Sequence, residues 1–175
     1  MEFDPRRILE TLAKHRVDYV VVGGIGGTLH GSPMSTDDVD VVPALRKTNL
    51  DSLAAALNEM NTRIRSSEAP KGIEVQFIGK DLQKRIVEFR FLSLSTDHGN
   101  LDLIHRPAGT GGYQELARNA QTLRVGEIEV RVSALEDIIR SKQAAGRERD
   151  LAQLPTLRML LEKRAEGPTR ANDEV

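Results

Sequence analysis

The chain contains no cysteine and no tryptophan. Without thiols there is no disulfide, no thiolate metal site and no cysteine nucleophile, a composition that fits a reducing compartment. Aromatic residues make up only 3% of the chain, which argues against a stacking platform for single-stranded nucleic acid. No apolar run is long enough to span a bilayer. The N-terminus, Met1 to Arg7, has no apolar stretch behind its basic residues and does not read as a signal peptide. A soluble, cytoplasmic protein is therefore expected. An excess of either charge is missing too. The 25 Lys and Arg residues against 26 Asp and Glu leave a net charge of −1. That excludes a global basic field of the kind that drives non-specific nucleic-acid binding, so a nucleic-acid substrate would need a local patch. There is no G-K-[ST] tripeptide and hence no P-loop. In Gly24-Ile25-Gly26-Gly27-Thr28-Leu29, Leu29 stands where a dinucleotide-binding turn needs its third glycine. Internal repeats and low-complexity tracts are absent as well.

What is present suits one domain. At 175 residues the chain can bury a core without covalent staples. Asp4 to Lys14 reads as a helix, capped by Asp4, with Pro5 in its first turn and Ile8, Leu9 and Leu12 on one face. The β-branched run Val17 to Val22 ends in Gly23-Gly24 and reads as a buried strand, followed by a short glycine-rich helix or turn from Gly24 to His30. Val39 to Val42 begins a second strand. Thr48 is expected to cap a helix to about Asn58, with Leu50, Leu53 and Leu57 inward. The polar segment Met60 to Gly72 reads as a mobile loop. Ile73 to Ile78 and Val87 to Leu94 read as strands, and Asp97-His98-Gly99-Asn100 turns the chain into a return strand, Leu101 to His105. Gly111 to Ala120 is a weak helix, and Thr122 to Val132 a hairpin around Gly126. Ser133-Ala134-Leu135-Glu136 has the form of a capping box, opening a helix to about Ala145 that Gly146 ends. Arg147 to Arg164 reads as a last helix, kinked at Pro155. The element order predicts a mixed sheet flanked by helices, an α/β (α+β) fold. Residues 1–132 would form the core, 133–166 a helical section packed on the same domain, and 167–175 a disordered tail.

Chemistry concentrates in Ser35-Thr36-Asp37-Asp38-Val39-Asp40. Alternate side chains of a strand share a face, so Asp38 and Asp40 point the same way while Val39 enters the core. Two carboxylates on one face repel each other and lose solvation, and a divalent cation relieves both costs. The glycine pair Gly23-Gly24 lets backbone approach a phosphate closely, with N–H groups facing the anion and the hydroxyls of Ser35 and Thr36 as further donors. A third carboxylate, Asp102, lies between leucines in a later strand. Three carboxylates on neighbouring strands can hold two metal ions. The plainer reading of an Asp-x-Asp at a strand start is a turn or cap, and the glycine pair and the third strand carboxylate weigh against it. From the residues alone, Lys142 and Arg147 read more readily as a solvated helix surface than as functional groups, and Asp150 as a cap or a partner of Arg147 or Arg149. His30 and His105, near these motifs, read as structural.

Val22-Gly23-Gly24, Gly31 and Thr36-Asp37-Asp38-Val39-Asp40, with Asp102, resemble the nucleotidyltransferase signature of the DNA polymerase beta superfamily. Ser133 to Ile139, with Lys142, Ala145-Gly146-Arg147 and Asp150-Leu151, resembles the C-terminal block of its AbiEii/MenT-like toxin branch. The likeness runs from about Val17 to Leu161. It implies a minimal nucleotidyltransferase fold. Asp38 and Asp40 would be metal ligands for Mg²⁺ or Mn²⁺, and Asp102 a third ligand or general base. Gly23, Gly24, Ser35, Thr36, Lys142 and Arg147 would hold the NTP, and Lys142 and Asp150 would act in catalysis. It further implies transfer of a nucleoside monophosphate to an acceptor hydroxyl. In the toxin branch that hydroxyl is at the 3′ end of tRNA, and an antitoxin is the cognate partner. A basic groove from Arg63, Arg65, Lys71, Arg106, Lys142 and Arg147 would suit such an RNA. Two departures stand out: the chain is shorter than many relatives, and Ser35 stands where many carry arginine. A protein or antibiotic acceptor on the same fold, and a non-catalytic nucleotide-binding module, are the alternative readings.

Overall fold

The structure is a computed structural model that describes residues 3–166; the tail predicted at 167–175 lies outside the described residues. Helix α1 (Pro5–Lys14) starts where the Arg7 N–H donates to the Asp4 carboxylate at 3.2 Å, and it buries Ile8, Leu9 and Leu12. Strand β1 (Tyr19–Val22) runs straight into α2 (Gly23–Leu29). Then come β2 (Asp38–Pro43), α3 (Lys47–Glu59), two short strands β3 (Arg63–Ile64) and β4 (Ile73–Glu74), and α4 (Gly79–Phe89). A hairpin of β5 (Phe91–Thr96) and β6 (Gly99–Ile104) precedes α5 (Tyr113–Asn119). A second hairpin, β7 (Gln121–Val125) and β8 (Ile128–Val132), leads to α6 (Leu135–Ala145) and α7 (Glu148–Ala165).

The strands form one sheet in the order β4-β3-β5-β6-β2-β1-β8-β7. It is mixed: β2 with β6 and β1 with β8 run parallel, and the other neighbours antiparallel. The two faces have different fates because strand side chains alternate. Val39, Val41, Leu92, Leu94, Leu101 and Leu103 face one way and close a single apolar core with α1, α3 and α4. Val20, Val22 and Val42 face the other way, where α5 covers them with Leu116. The remainder of that second face carries the acidic residues. Helices α6 and α7 share their own cluster, Leu135, Ile138, Ile139, Leu154 and Leu157. They reach α2 because Gly26 has no side chain: a Cβ there would sit 3.1 Å from Ile138 Cδ1. No helix among the described residues is long and apolar enough to cross a membrane.

Several local expectations are corrected. The stretch predicted as strand from Val87 is helical to Phe89, because Leu82 and Ile86, one turn apart, bury against the core. Arg90, left-handed at φ 59°, ends the helix, and the strand starts only at Phe91. The segment from Met60 to Gly72 is not wholly irregular, since β3 pairs with both β4 and β5; edge pairing uses backbone groups and needs no apolar alternation. Only Ile73–Glu74 of the strand expected to reach Ile78 pairs. Helix α3 starts after Arg46, without a cap from Thr48. No capping box forms at α6: Ala134 is the cap residue, and the Ser133 N–H is engaged instead with the Val21 carbonyl at 2.9 Å, extending the join between β1 and β8. Pro155 lies inside α7, which continues past it.

Candidate active site

Strand register assembles the acids. In the parallel pair β2·β6, Asp40 lies opposite Asp102 and Asp38 opposite Asn100; in the hairpin, Ser93 lies opposite Asp102. Asp38, Asp40 and Asp102 therefore share the uncovered face of the sheet, and one carboxylate oxygen from each lies within 4.8 Å of the others. The Thr36 hydroxyl donates to Asp38 Oδ1 at 2.8 Å, which fixes that carboxylate. Burial, then the neighbouring charges of Asp38 and Asp102, pushes the Asp40 carboxyl up to about 7. Burial and the Asp38 charge push Asp102 up to about 6, with Ser93 and Arg65 pulling the other way. Asp102 Oδ1 is buried without a hydrogen-bond partner, and Arg65 Nη2 is 3.7 Å away. A buried, unpartnered carboxylate oxygen among two more carboxylates is costly for the protein alone. It is the donor set that a hard divalent cation uses, so the residues fit such an ion.

Backbone approaches this cluster from β1. Gly23 has φ +63°, and a Cβ built on it would lie 1.9 Å from Asp40 Oδ2, so no side chain fits between the β1–α2 turn and the carboxylate. The Gly24 N–H faces the same carboxylate and lowers its pKa against the effect of burial. Ser35 is exposed at the rim and Thr36 is half-buried. All of these border one cavity of about 570 Å³.

Its opposite wall comes from α6 and α7. Lys142 is buried, not spread on a solvated helix surface, and its Nζ lies 3.2 Å from Asp150 Oδ1. Arg147 Nε donates to Asp150 Oδ2. Burial raises the Asp150 carboxyl, but hydrogen bonds from Arg147 and Lys142 outweigh it and leave the group below the ordinary range. The Lys142 charge also stabilises the Asp40 carboxylate across the cavity. Gly23, Gly24, Ser35, Thr36, Asp38, Asp40, Asp102, Lys142, Arg147 and Asp150 all line this cavity. Of the other arginines and the lysine expected to form a basic groove, Arg106 lines it and Arg65 pairs with Asp102. Arg63 pairs with Glu74 at the sheet edge, and neither it nor Lys71 lines the cavity. His30 is buried and structural in its contacts: its Nε2 bonds the Ser133 carbonyl at 2.7 Å, and Nδ1 lies 2.9 Å from Arg164 Nη1.

Sequence reasoning missed Ser93, Asp137, Arg90 and Phe91. Asp137, held by Arg140 and Asn119, is buried at the cavity wall one turn and more before Lys142. Ser93 and Phe91 were hidden because their strand was placed too early. The alternation Phe91, Ser93, Ser95 against Leu92 and Leu94 is the signal that locates it.

A sequence model of the aminoglycoside-2″-adenylyltransferase family matches residues 5–157. Among curated proteins, none matches the chain. Among the solved structures that share its fold are two nucleotidyltransferase-related ones. One is TM1012 of Thermotoga maritima, a protein assigned as a nucleotidyltransferase, at 18% identity and TM-score 0.50 over 91% of each chain. The other is the lincosamide antibiotic adenylyltransferase LnuA, bound to lincomycin, at 12% identity and TM-score 0.59, covering 91% of this chain and 98% of that one. These likenesses support the nucleotidyltransferase superfamily and do not extend to the AbiEii/MenT toxin branch. With a family match spanning nearly the whole described chain, the protein belongs to the aminoglycoside-2″-adenylyltransferase family and is a nucleotidyltransferase.

Proposed function

We propose that the protein transfers a nucleoside monophosphate, AMP from ATP, to a hydroxyl of a small polyhydroxylated acceptor of the antibiotic type, with Mg²⁺ or Mn²⁺ as cofactor. The observation that carries this reading is the closure of one cavity by three clustered carboxylates on one side and a buried lysine on the other. Family membership supports adenylyl transfer as the reaction, and a cavity of about 570 Å³ is of the size that encloses small substrates.

Asp38, Asp40 and Asp102 would hold the divalent cation. When bound, it neutralises the charge on the triphosphate and the departing pyrophosphate. The chain's own groups divide the remaining work. Gly23 and Gly24 let the β1–α2 backbone come close to a phosphate on one wall of the cavity, and the Lys142 ammonium on the facing wall is a donor for phosphate oxygens. Asp150 holds Lys142 in place through its ion pair. Asp102, buried at the cluster with Oδ1 free of any hydrogen-bond partner, is also the carboxylate placed to accept the proton of an attacking hydroxyl. The acceptor oxygen bonds to the α-phosphorus, the bond from that phosphorus to the bridging oxygen breaks, and pyrophosphate leaves. Positioning and charge neutralisation supply the rate, as in other phosphoryl and nucleotidyl transfers.

The test is incubation with α-labelled ATP and Mg²⁺ in the presence of kanamycin, lincomycin or deacylated tRNA. Label on an antibiotic, lost with Asp102→Asn, is the expected result. Label on the tRNA 3′ end alone would replace the small acceptor by the RNA that the toxin-branch resemblance implies. ATP binding without turnover in every arm would leave a nucleotide-binding module.

A further inference from the structure

We infer that Phe91 is the platform on which the acceptor packs. This rests on the small-acceptor reading above and names the surface that recognises it. The start of β5 places the ring. Phe91 lies opposite Ile104, and Ser93 opposite Asp102, so Phe91 is one strand across and one alternation along from the third carboxylate, on the same face. Its core-side neighbours Leu92 and Leu94 are buried, whereas Phe91 is 47% exposed. It lines the cavity together with Ile104, Pro107 and Ala108, and is the one aromatic residue among the cavity-lining residues described. A chain with four Phe, two Tyr and no Trp has placed one of its few rings, unburied, beside its carboxylates.

The backbone fixes this position. Arg90 is left-handed, a conformation that costs a non-glycine residue free energy, and its carbonyl accepts the His105 N–H at 2.9 Å. That turn ends α4 and sets Phe91 over Ile104. The sheet order β5-β6-β2-β1 then separates two sides of the carboxylates. The β1–α2 turn, where the proposed function seats the triphosphate, lies at one side, and Phe91 at the other. In-line displacement puts the attacking hydroxyl opposite the departing pyrophosphate, and hence on the Phe91 side. The face of a phenyl ring packs against the C–H face of a sugar and attracts an ammonium group, so a polyhydroxylated, cationic ring system fits it on both counts.

The test uses full-length protein with ATP, Mg²⁺ and whichever of kanamycin or lincomycin the wild type modifies. Phe91→Ala is expected to raise KM for the antibiotic about 3- to 30-fold, with KM for ATP and the melting temperature unchanged. Phe91→Trp introduces the only tryptophan of the chain. Its emission should change saturably with the antibiotic and not with a non-hydrolysable ATP analogue. A larger rise in KM for ATP, or an emission change with the analogue alone, would make the ring a nucleobase platform and overturn the proposal. So would unchanged constants in Phe91→Ala with an active wild type. A wild type that labels neither antibiotic would sink the small-acceptor reading itself, and the platform with it, before any variant is made.

Discussion

Asp40 shows at a single residue how this fold trades stability for a site. Its carboxyl is lifted from 3.8 to about 7 by burial and by Asp38 and Asp102. A raised folded-state pKa means that the folded chain holds the proton more tightly than the unfolded one. The stabilisation is fully present below pH 3.8 and is lost as pH rises towards 7. Metal-free protein should therefore gain from Asp40→Asn at pH 8, by about 1–3 kcal/mol, and gain little at pH 4. Thermal melts at the two pH values check this. The same variant should lose transfer by at least about 10²-fold. A melting temperature at pH 8 unchanged by the substitution would mean that Asp40 is not the strained group. His30 runs the other way. Burial holds its imidazole below the usual 6.5, so its share of stability is present at neutral pH and lost as pH falls below that value.

At the scale of elements, two junctions decide whether the site exists. The first is the β1–α2 turn. Gly23→Ala forces a Cβ into a left-handed position against the Asp40 carboxylate. That carboxylate is the free end of a side chain and can move, so the fold should survive at a loss of roughly 1–2 kcal/mol. The displaced Asp40 should no longer bind metal, which a calorimetric Mn²⁺ titration reads directly; full metal affinity in the variant would refute the role given to the turn. The second junction is the α6–α7 corner, where Gly146 in the left-handed conformation ends α6 and Asp150 ties Lys142 to Arg147. Asp150→Ala leaves a buried ammonium unpaired and is expected to destabilise by about 2–4 kcal/mol in denaturant unfolding. Asp150→Ala combined with Lys142→Met removes both charges and should recover part of that loss. A double variant no more stable than Asp150→Ala would show that the pair is not what holds the corner.

For the whole molecule, the carboxylate cluster predicts that metal binding is linked to folding. A cation that binds only the folded chain raises the melting temperature as its concentration exceeds its dissociation constant. Because protons compete for the same carboxylates, whose pKa values are about 7 and 6 for Asp40 and Asp102, the increment from Mg²⁺ should be larger at pH 8 than at pH 5.5. Equal increments at both pH values would place the ion elsewhere. Much of this architecture was legible in the chain: the Asp4 cap with Ile8, Leu9 and Leu12, the run ending in Gly23-Gly24, both hairpin turns, and the stop at Gly146. Short patterns failed where two periods overlap. Val87, Phe89 and Phe91 alternate as a strand does, yet Leu82 and Ile86 win, because a helical turn buried in the core outweighs an alternation that only the edge of the cavity sees. Ser133 failed as a cap because its N–H was already engaged with Val21 on another strand.

The sequence by itself determined the chemistry: which residues carry negative charge, that Asp38 and Asp40 share a face, that a glycine pair precedes them, and that the motif is of the nucleotidyltransferase superfamily, though not of the toxin branch it resembled. These are properties of spacing along one chain and survive any packing. Tertiary structure decided the rest. The parallel pairing of β2 with β6 puts Asp102 beside Asp40 and lifts both carboxyls by burial. The packing of α6 and α7 on α2 turns Lys142 from one more helix lysine into a buried cation facing the acids. Register brings Phe91 to the same cavity. Desolvation, pKa and cavity shape depend on what lies within a few ångströms, and residues far apart in sequence become neighbours only when the sheet is formed.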